Sequence, residues 1–457
     1  MAKFTFINHA SYMIETDQSL LIVDPWVEGY AFDKGWSLLD KSTTNEALLH
    51  HISTIKKAKF IWLSHEHSDH FSVPFLIGLK KRGEQVTFLF QKTLDGRVAK
   101  FIRKLGFQVI ESNDSLEMVD SELSIVTFPF QGGDSYCLTI WKNYSILNIN
   151  DCVIADESAA KSVIHNYKIY TDKLDLLLTQ FGYANWIGNK DEKNLRISSA
   201  TEKLERIKLQ VQQFNPDSVI PFASFVYFSH LENFHTNDSQ NSPRDVNELF
   251  ARHDFYSNLI VLKPWDELKL SQDLKSQNKS LKFANIEHWD KLLADIEHDA
   301  IDETQYSINE IAAEYKIYKK KLLKSFLIFP FFLEKSDFIK PIIFYVNDLD
   351  INISLSHVRG FRTGKGDKLT AELSLSSATL LFILKNEYGS NTTLINGKFE
   401  RLSTDGVNKF SRHFAPQEYM KMGYGLTSPF MTAYIIIGKL IHKFKSKEWD
   451  INPSLDD

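Results

Sequence analysis

Cysteine is almost missing from this chain. Cys137 and Cys152 are the two thiols in 457 residues. Two thiols cannot make a disulfide framework, so a reducing compartment and a cytoplasmic location are expected. They cannot furnish a Rieske-type iron–sulfur centre either, because that takes two cysteines and two histidines in close motifs. Long apolar runs are missing too. The longest late run, Met431 to Ile441, contains Gly438 and Lys439 and is too short to cross a bilayer, so no membrane span is expected. The opening residues Met1-Ala2-Lys3-Phe4-Thr5 lead straight into a strand pattern, and no secretory signal is expected. Neither sign of charge dominates. A formal net charge of −5 implies no general affinity for nucleic acid.

What is there is ordinary for a soluble globular chain, with 43% apolar and 24% charged residues. The length allows two or more domains, each with a sizeable core. Thirty-four phenylalanines point to large cores or stacking pockets. Strand patterns over 4–8, 11–15 and 20–23 are followed by strands and helices in alternation, which is an α/β pattern. Helices are expected over 44–56, 96–105 and 200–214. Residues 270–280 are polar and linker-like. This divides the chain into a domain over 1–268 and a C-terminal α+β accessory domain over 269–457.

One stretch organises the first part: Ser64-His65-Glu66-His67-Ser68-Asp69-His70. It follows a short apolar strand, Phe60 to Leu63, and precedes a helix starting near Pro74. A strand-to-helix turn can aim neighbouring side chains into one space. Imidazole and carboxylate are ligands that zinc and iron accept, so the turn is read as a site for one or two metal ions, Fe or Zn. Asp24 ends a strand before Pro25, and His9 sits in a tight turn. Each is either a turn residue or a group lining the metal pocket. Asp151 follows the apolar strand Tyr144 to Ile149 and either caps the next helix or binds metal.

His65-Glu66-His67-Ser68-Asp69-His70 resembles the HxHxDH motif of the metallo-β-lactamase superfamily. Asn8-His9-Ala10-Ser11, Asp24-Pro25-Trp26, Gly29, Ala31-Phe32, Gly35-Trp36 and Pro221-Phe222-Ala223-Ser224-Phe225 resemble its CMP-N-acetylneuraminate hydroxylase branch. The resemblance implies an αββα sandwich. It implies that His65 and His67 hold one metal, that Asp69 and His70 serve a second, and that Asp151 bridges. It asks for one more histidine at a late strand end, where His230 fits best and His235 second. Asp69, His9 and Asp24 are the catalytic candidates, the last two as groups that orient ligands. One expected ligand is missing, because no histidine occurs from 71 to 164. Asp134 stands where a substitute is needed. Two histidines and a carboxylate with open positions, such as His65, His67 and Asp151, is the pattern of non-haem iron oxygenases.

The resemblance therefore implies a metalloenzyme: an iron-dependent monooxygenase acting on a small molecule, a sugar or nucleotide sugar, with a separate Rieske-type or other electron donor. The competing expectation is a hydrolase of a phosphodiester, lactone or amide that works through metal-activated water. The third is a non-catalytic binding protein with a vestigial site.

Overall fold

The structure is a computed structural model. It describes residues 2–421 apart from 271–272, 280, 302, 327–328 and 336, so the run Met431 to Ile441 lies outside the described residues. The chain opens with β1 (Lys3–Asn8), β2 (Ser11–Glu15) and β3 (Ser19–Val23) in antiparallel array. In β3, Leu21 and Val23 join one core while Leu20 and Ile22 join another. The period of two puts alternate side chains on opposite faces, so an apolar strand like this is buried from both sides. Then β4 (Ala58–Leu63), β5 (Thr87–Phe90) and β6 (Gln108–Glu111) add in parallel. Parallel neighbours need crossovers. These contain α1 (Asn45–Thr54), α2 (Val73–Lys81) and α3 (Arg97–Leu105). Leu48, Ile52, Phe75, Leu79, Val98 and Ile102 of those helices cover the Leu20 and Ile22 face.

A second sheet follows: β7 (Leu116–Met118), β8 (Leu123–Pro129), β9 (Ser135–Trp141), β10 (Tyr144–Asn148), β11 (Leu176–Gln180), β12 (Ser218–Phe222) and β13 (Asn258–Leu259). It is antiparallel up to β10 and parallel beyond. The helices Glu157–Tyr167 and Lys193–Phe214 pack on it. A last short strand, β14 (Glu267–Lys269), returns to the first sheet beside β1. The result is the αββα sandwich. Trp62 of β4 joins the core shared with the second sheet, and its indole N–H donates to Thr127 Oγ1 of β8 at 2.9 Å.

The chain divides into two compact units. The first is 1–184, 192–229 and 234–298, and the second is 185–191, 230–233 and the chain from 299. The first unit thus runs 30 residues past the boundary expected at 268. Leu274 lies in a short helix, Leu274–Lys279, inside the supposed linker, and it is buried in the first unit's core. Ile286 and Trp289 of the helix Lys282–Ala294 are buried there as well, with the Trp289 ring 4.1 Å from that of Phe225. The helix expected from Ala200 starts at Lys193 instead. Its first turn buries Arg196, an unpromising core residue until Asp238 accepts two hydrogen bonds from it, each 2.8 Å long.

The second unit is α+β. Strands β15 (Ile342–Val346), β16 (Ile351–Leu355), β17 (Arg362–Lys365), β18 (Leu373–Leu375) and β19 (Glu400–Arg401) lie in the order β17-β16-β15-β18-β19. Tyr315 and Tyr318 of the helix Ile308–Phe326 and Phe410 of Gly406–Lys421 cover Phe344 and Leu373. Among the described residues, no helix is long and apolar enough to cross a membrane.

Candidate metal centre

The HxHxDH turn hangs from the C-terminal end of β4. His67 carbonyl accepts the N–H groups of His70 and Phe71, at 3.1 and 2.7 Å, which closes the turn. Ser72 then caps α2 through Phe75 N–H. His65, Asp69 and His70 are buried, and His67 is half-buried. The rings of His65 and His70 are 4.3 Å apart and those of His65 and His67 are 4.6 Å apart. Three imidazoles are therefore gathered in one buried space.

Asp24 anchors the turn from the end of β3. Its Oδ1 accepts Ser64 N–H at 2.8 Å, and its Oδ2 accepts the Ser64 hydroxyl at 2.7 Å and the Asn150 amide at 3.1 Å. The same Oδ2 lies 2.9 Å from His70 Nδ1. This holds the ring so that Nε2 looks the other way, toward Asp69 and Asp151. Those distances are 3.5 Å to Asp69 Oδ2 and 3.3 Å to Asp151 Oδ2. Ser64 Oγ also sits 2.9 Å from His65 Nδ1 and leaves that ring's Nε2 to the centre.

Asp151 reaches in from the end of β10. Its Oδ2 lies between His70 Nε2 and His65 Nε2, the latter at 3.8 Å. Its Oδ1 accepts from Gln180 Nε2 at 3.1 Å, and Gln180 is held in turn by Lys203. Asp134 stands on the other side, its Oδ1 3.9 Å from His65 Nε2, and its ligand atom groups with those of His65 and His67 within 4.8 Å. His9 lies buried in the β1–β2 turn, with Nε2 3.3 Å from Asp69 Oδ2.

The electrostatics call for a cation. Burial alone would raise the Asp69 carboxyl, but His70 and then His9 outweigh it and hold the group well below the usual carboxylate range. Burial likewise works against charge on His70. The carboxylates of Asp69, Asp151 and Asp24 overcome it and raise the imidazole well above its ordinary value. Asp151 is lowered, against its own burial, by His70 and His65. Asp69 Oδ1 and His70 Nε2 are buried with no hydrogen-bond partner among the described residues. Unpaired buried polar atoms are costly, and a metal ion would satisfy both. The donor set of imidazoles and carboxylates fits zinc or iron.

The family model for the Beta-lactamase superfamily domain matches residues 3–135. That part of the chain is a beta-lactamase superfamily domain. Cytidine monophosphate-N-acetylneuraminic acid hydroxylase of Danio rerio is 23% identical over 310 residues, covering 64% of this chain and 50% of its own. The chain spans about half the length of the curated relatives it matches. Among solved structures, CmlA, a diiron beta-hydroxylase from Streptomyces venezuelae, aligns at 15% identity and a TM-score of 0.41, over 59% of this chain and 54% of that one. Igni18, a metallo hydrolase from Ignicoccus hospitalis, aligns at 16% and 0.39, over 58% and 97%.

Within the beta-lactamase domain and the strands that complete its sandwich, the structure brings together His9, Asp24, His65, His67, Asp69, His70 and Asp151. His230 belongs to the second unit, with its Nε2 3.3 Å from Glu303 Oε1 and its Nδ1 accepting Glu232 N–H at 3.2 Å. Among the described residues, the ligand groups around the motif draw on His9, Asp134 and Asp151 instead. The sequence reading missed Ser64, Asn150 and Gln180 as groups that hold ligands. Phe32, of the quoted Ala31-Phe32 pair, packs edge-on to His67 at 5.6 Å and donates its N–H to Ser68 Oγ. Phe32, Asp33 and Lys34 all have left-handed backbones, with φ of 49, 53 and 60°. A run of three such non-glycine residues is rare and marks a loop held in place by its surroundings.

Proposed function

We propose that this chain is a dinuclear metalloenzyme that hydroxylates a sugar or nucleotide sugar with molecular oxygen, drawing electrons from a separate donor. The observation that carries the reading is Asp134. In the place where hydrolytic members of this fold use a third histidine, the group beside His65 and His67 is a carboxylate. Three histidines are a zinc set for activated water, whereas two histidines with a carboxylate serve catalytic zinc and are also the set of non-haem iron oxygenases. The hydroxylase relatives at 23% identity support the same direction.

When bound, iron would supply the oxygen chemistry, with His65, His67 and Asp134 as holders on one side, Asp69 and His70 on the other, and Asp151 between. The chain's own residues set the conditions. Asp24 fixes which nitrogen His70 presents. Gln180 holds one Asp151 oxygen and leaves the other facing inward. Phe32 and Trp36, with ring centroids 4.6 Å apart, form an aromatic wall beside His67 that would shield the centre from water and give a substrate a flat face. Asp69, kept ionised, would offer its carboxylate to the second position. Both thiols are buried, and neither sits in a cluster-binding motif, so the electrons would arrive from outside these 457 residues.

The test is turnover under ¹⁸O₂ with CMP-linked and free sialic acids and an added ferredoxin-type reducing system. The reading expects ¹⁸O in a hydroxylated product and oxygen uptake matched to it. Hydrolysis of a phosphodiester, lactone or amide at the same rate without oxygen would replace it with the hydrolase.

A further inference from the structure

Asp69, His70 and Asp151 give the second metal position three protein ligands. The sequence pattern adds His230 as a fourth. The structure offers a different residue from the opposite end of the domain.

His9 is 1% exposed, and its Nε2 stands 3.3 Å from Asp69 Oδ2. Potential ligand atoms of His9, Asp69 and His70 all lie within 4.8 Å of one another. Its Nδ1 is buried and has no hydrogen-bond partner among the described residues. The backbone at His9 is left-handed, with φ of 40°, an uncommon state for a residue with a side chain. Neighbours hold it there. His9 N–H donates to Asn8 Oδ1 at 2.9 Å, and its carbonyl accepts Ala223 N–H at 3.0 Å. Asn8 is pinned by its own amide to Asp40 carbonyl and Thr43 Oγ1, both at 2.8 Å. Trp26 meets the His9 ring edge-on at 5.5 Å. A buried, firmly held imidazole facing a carboxylate suits a metal ligand, whose orientation neighbours must fix.

We infer that His9 is the closing protein ligand of the second metal position, beside Asp69, His70 and Asp151. The inference rests on the dinuclear reading above. His230 groups instead with Glu232 and Glu303, and Glu303 also meets the Lys398 ammonium.

Metal binding tests this without any substrate. Chelator-stripped wild type, His9→Ala, His9→Gln and His230→Gln are titrated with Co(II) against a chromophoric chelator, with circular dichroism confirming a common fold. Wild type and His230→Gln should bind two equivalents. The His9 variants should keep the first and lose the second by more than the ~100-fold that removal of an orienting partner costs. A second equivalent bound within about tenfold of wild type by a folded His9 variant, or lost in His230→Gln, overturns the inference. If no His9 variant folds, proton NMR of the di-cobalt wild type and His230→Gln decides. Four metal-bound imidazoles that persist in di-cobalt His230→Gln support His9, and three in that variant overturn it. Wild type that binds fewer than two equivalents removes the dinuclear reading itself, a separate and recognisable failure.

Discussion

Asp24 Oδ2 lies 2.9 Å from His70 Nδ1, and both side chains are fully buried. The pair links the end of β3 to the last residue of the HxHxDH turn. It settles which His70 nitrogen faces Asp69 and Asp151. Asp24→Asn keeps the size and tolerates the left-handed backbone at φ 39°, but it removes the charge that holds the ring. Metal affinity at the second position should fall by about 10- to 100-fold, read by chelator competition, with the first position little changed. Unaltered affinity would mean that Asp24 is only a turn residue.

Asp134 is the group on which the choice of metal turns. Asp134→His would install the third imidazole of a hydrolytic centre beside His65 and His67. In competition between iron and zinc under anaerobic conditions, the variant should shift toward zinc and lose oxygen-dependent turnover. An unchanged iron-to-zinc ratio would show that Asp134 does not reach the metal.

The second unit has its own pH signature. Burial alone would raise the Glu303 carboxyl, but the hydrogen bond to His230 and the Lys398 ammonium outweigh it and hold the group at about 2, against an ordinary 4.5. Between those two values the unfolded chain binds the proton and the folded chain does not, so folding weakens as pH falls. The stabilisation is complete above about pH 4.5 and is lost progressively toward pH 2. Discounted for solvent screening at a partly exposed group, it amounts to about 1–2 kcal/mol. Urea unfolding of wild type and Glu303→Gln across this window should show a steeper acid loss in wild type. Parallel curves would contradict it.

Local features were legible and long-range ones were not. The metal turn could be read directly, because its ligands lie within six residues and the strand before it is plainly apolar. Asp24 and Asp151 announced themselves by standing just past apolar strands, where sheets end. His230 was read from a family pattern that asks for a late histidine, which the sequence supplies. The segment 230–233 nevertheless folds with the second unit, which no local pattern encodes. His9 was visible as a turn residue or a group lining the pocket, not as a ligand. Its approach to Asp69 depends on the hairpin register that pairs Asn8 with Ser11 and on the contact with Ala223. The boundary at 268 failed for a related reason. A polar stretch looks like a linker until Leu274 and Trp289 are seen buried in the sandwich core. Arg196 reads as solvated until Asp238, 42 residues on, accepts from it.

The most direct measurement is elemental analysis of untagged protein expressed in iron-replete medium and purified without added metal. Two iron atoms per chain are the predicted result, because Asp134 and Asp151 make the centre rich in carboxylates. Two zinc atoms per chain, retained after iron-replete expression, would contradict the hydroxylase and leave the hydrolase in its place.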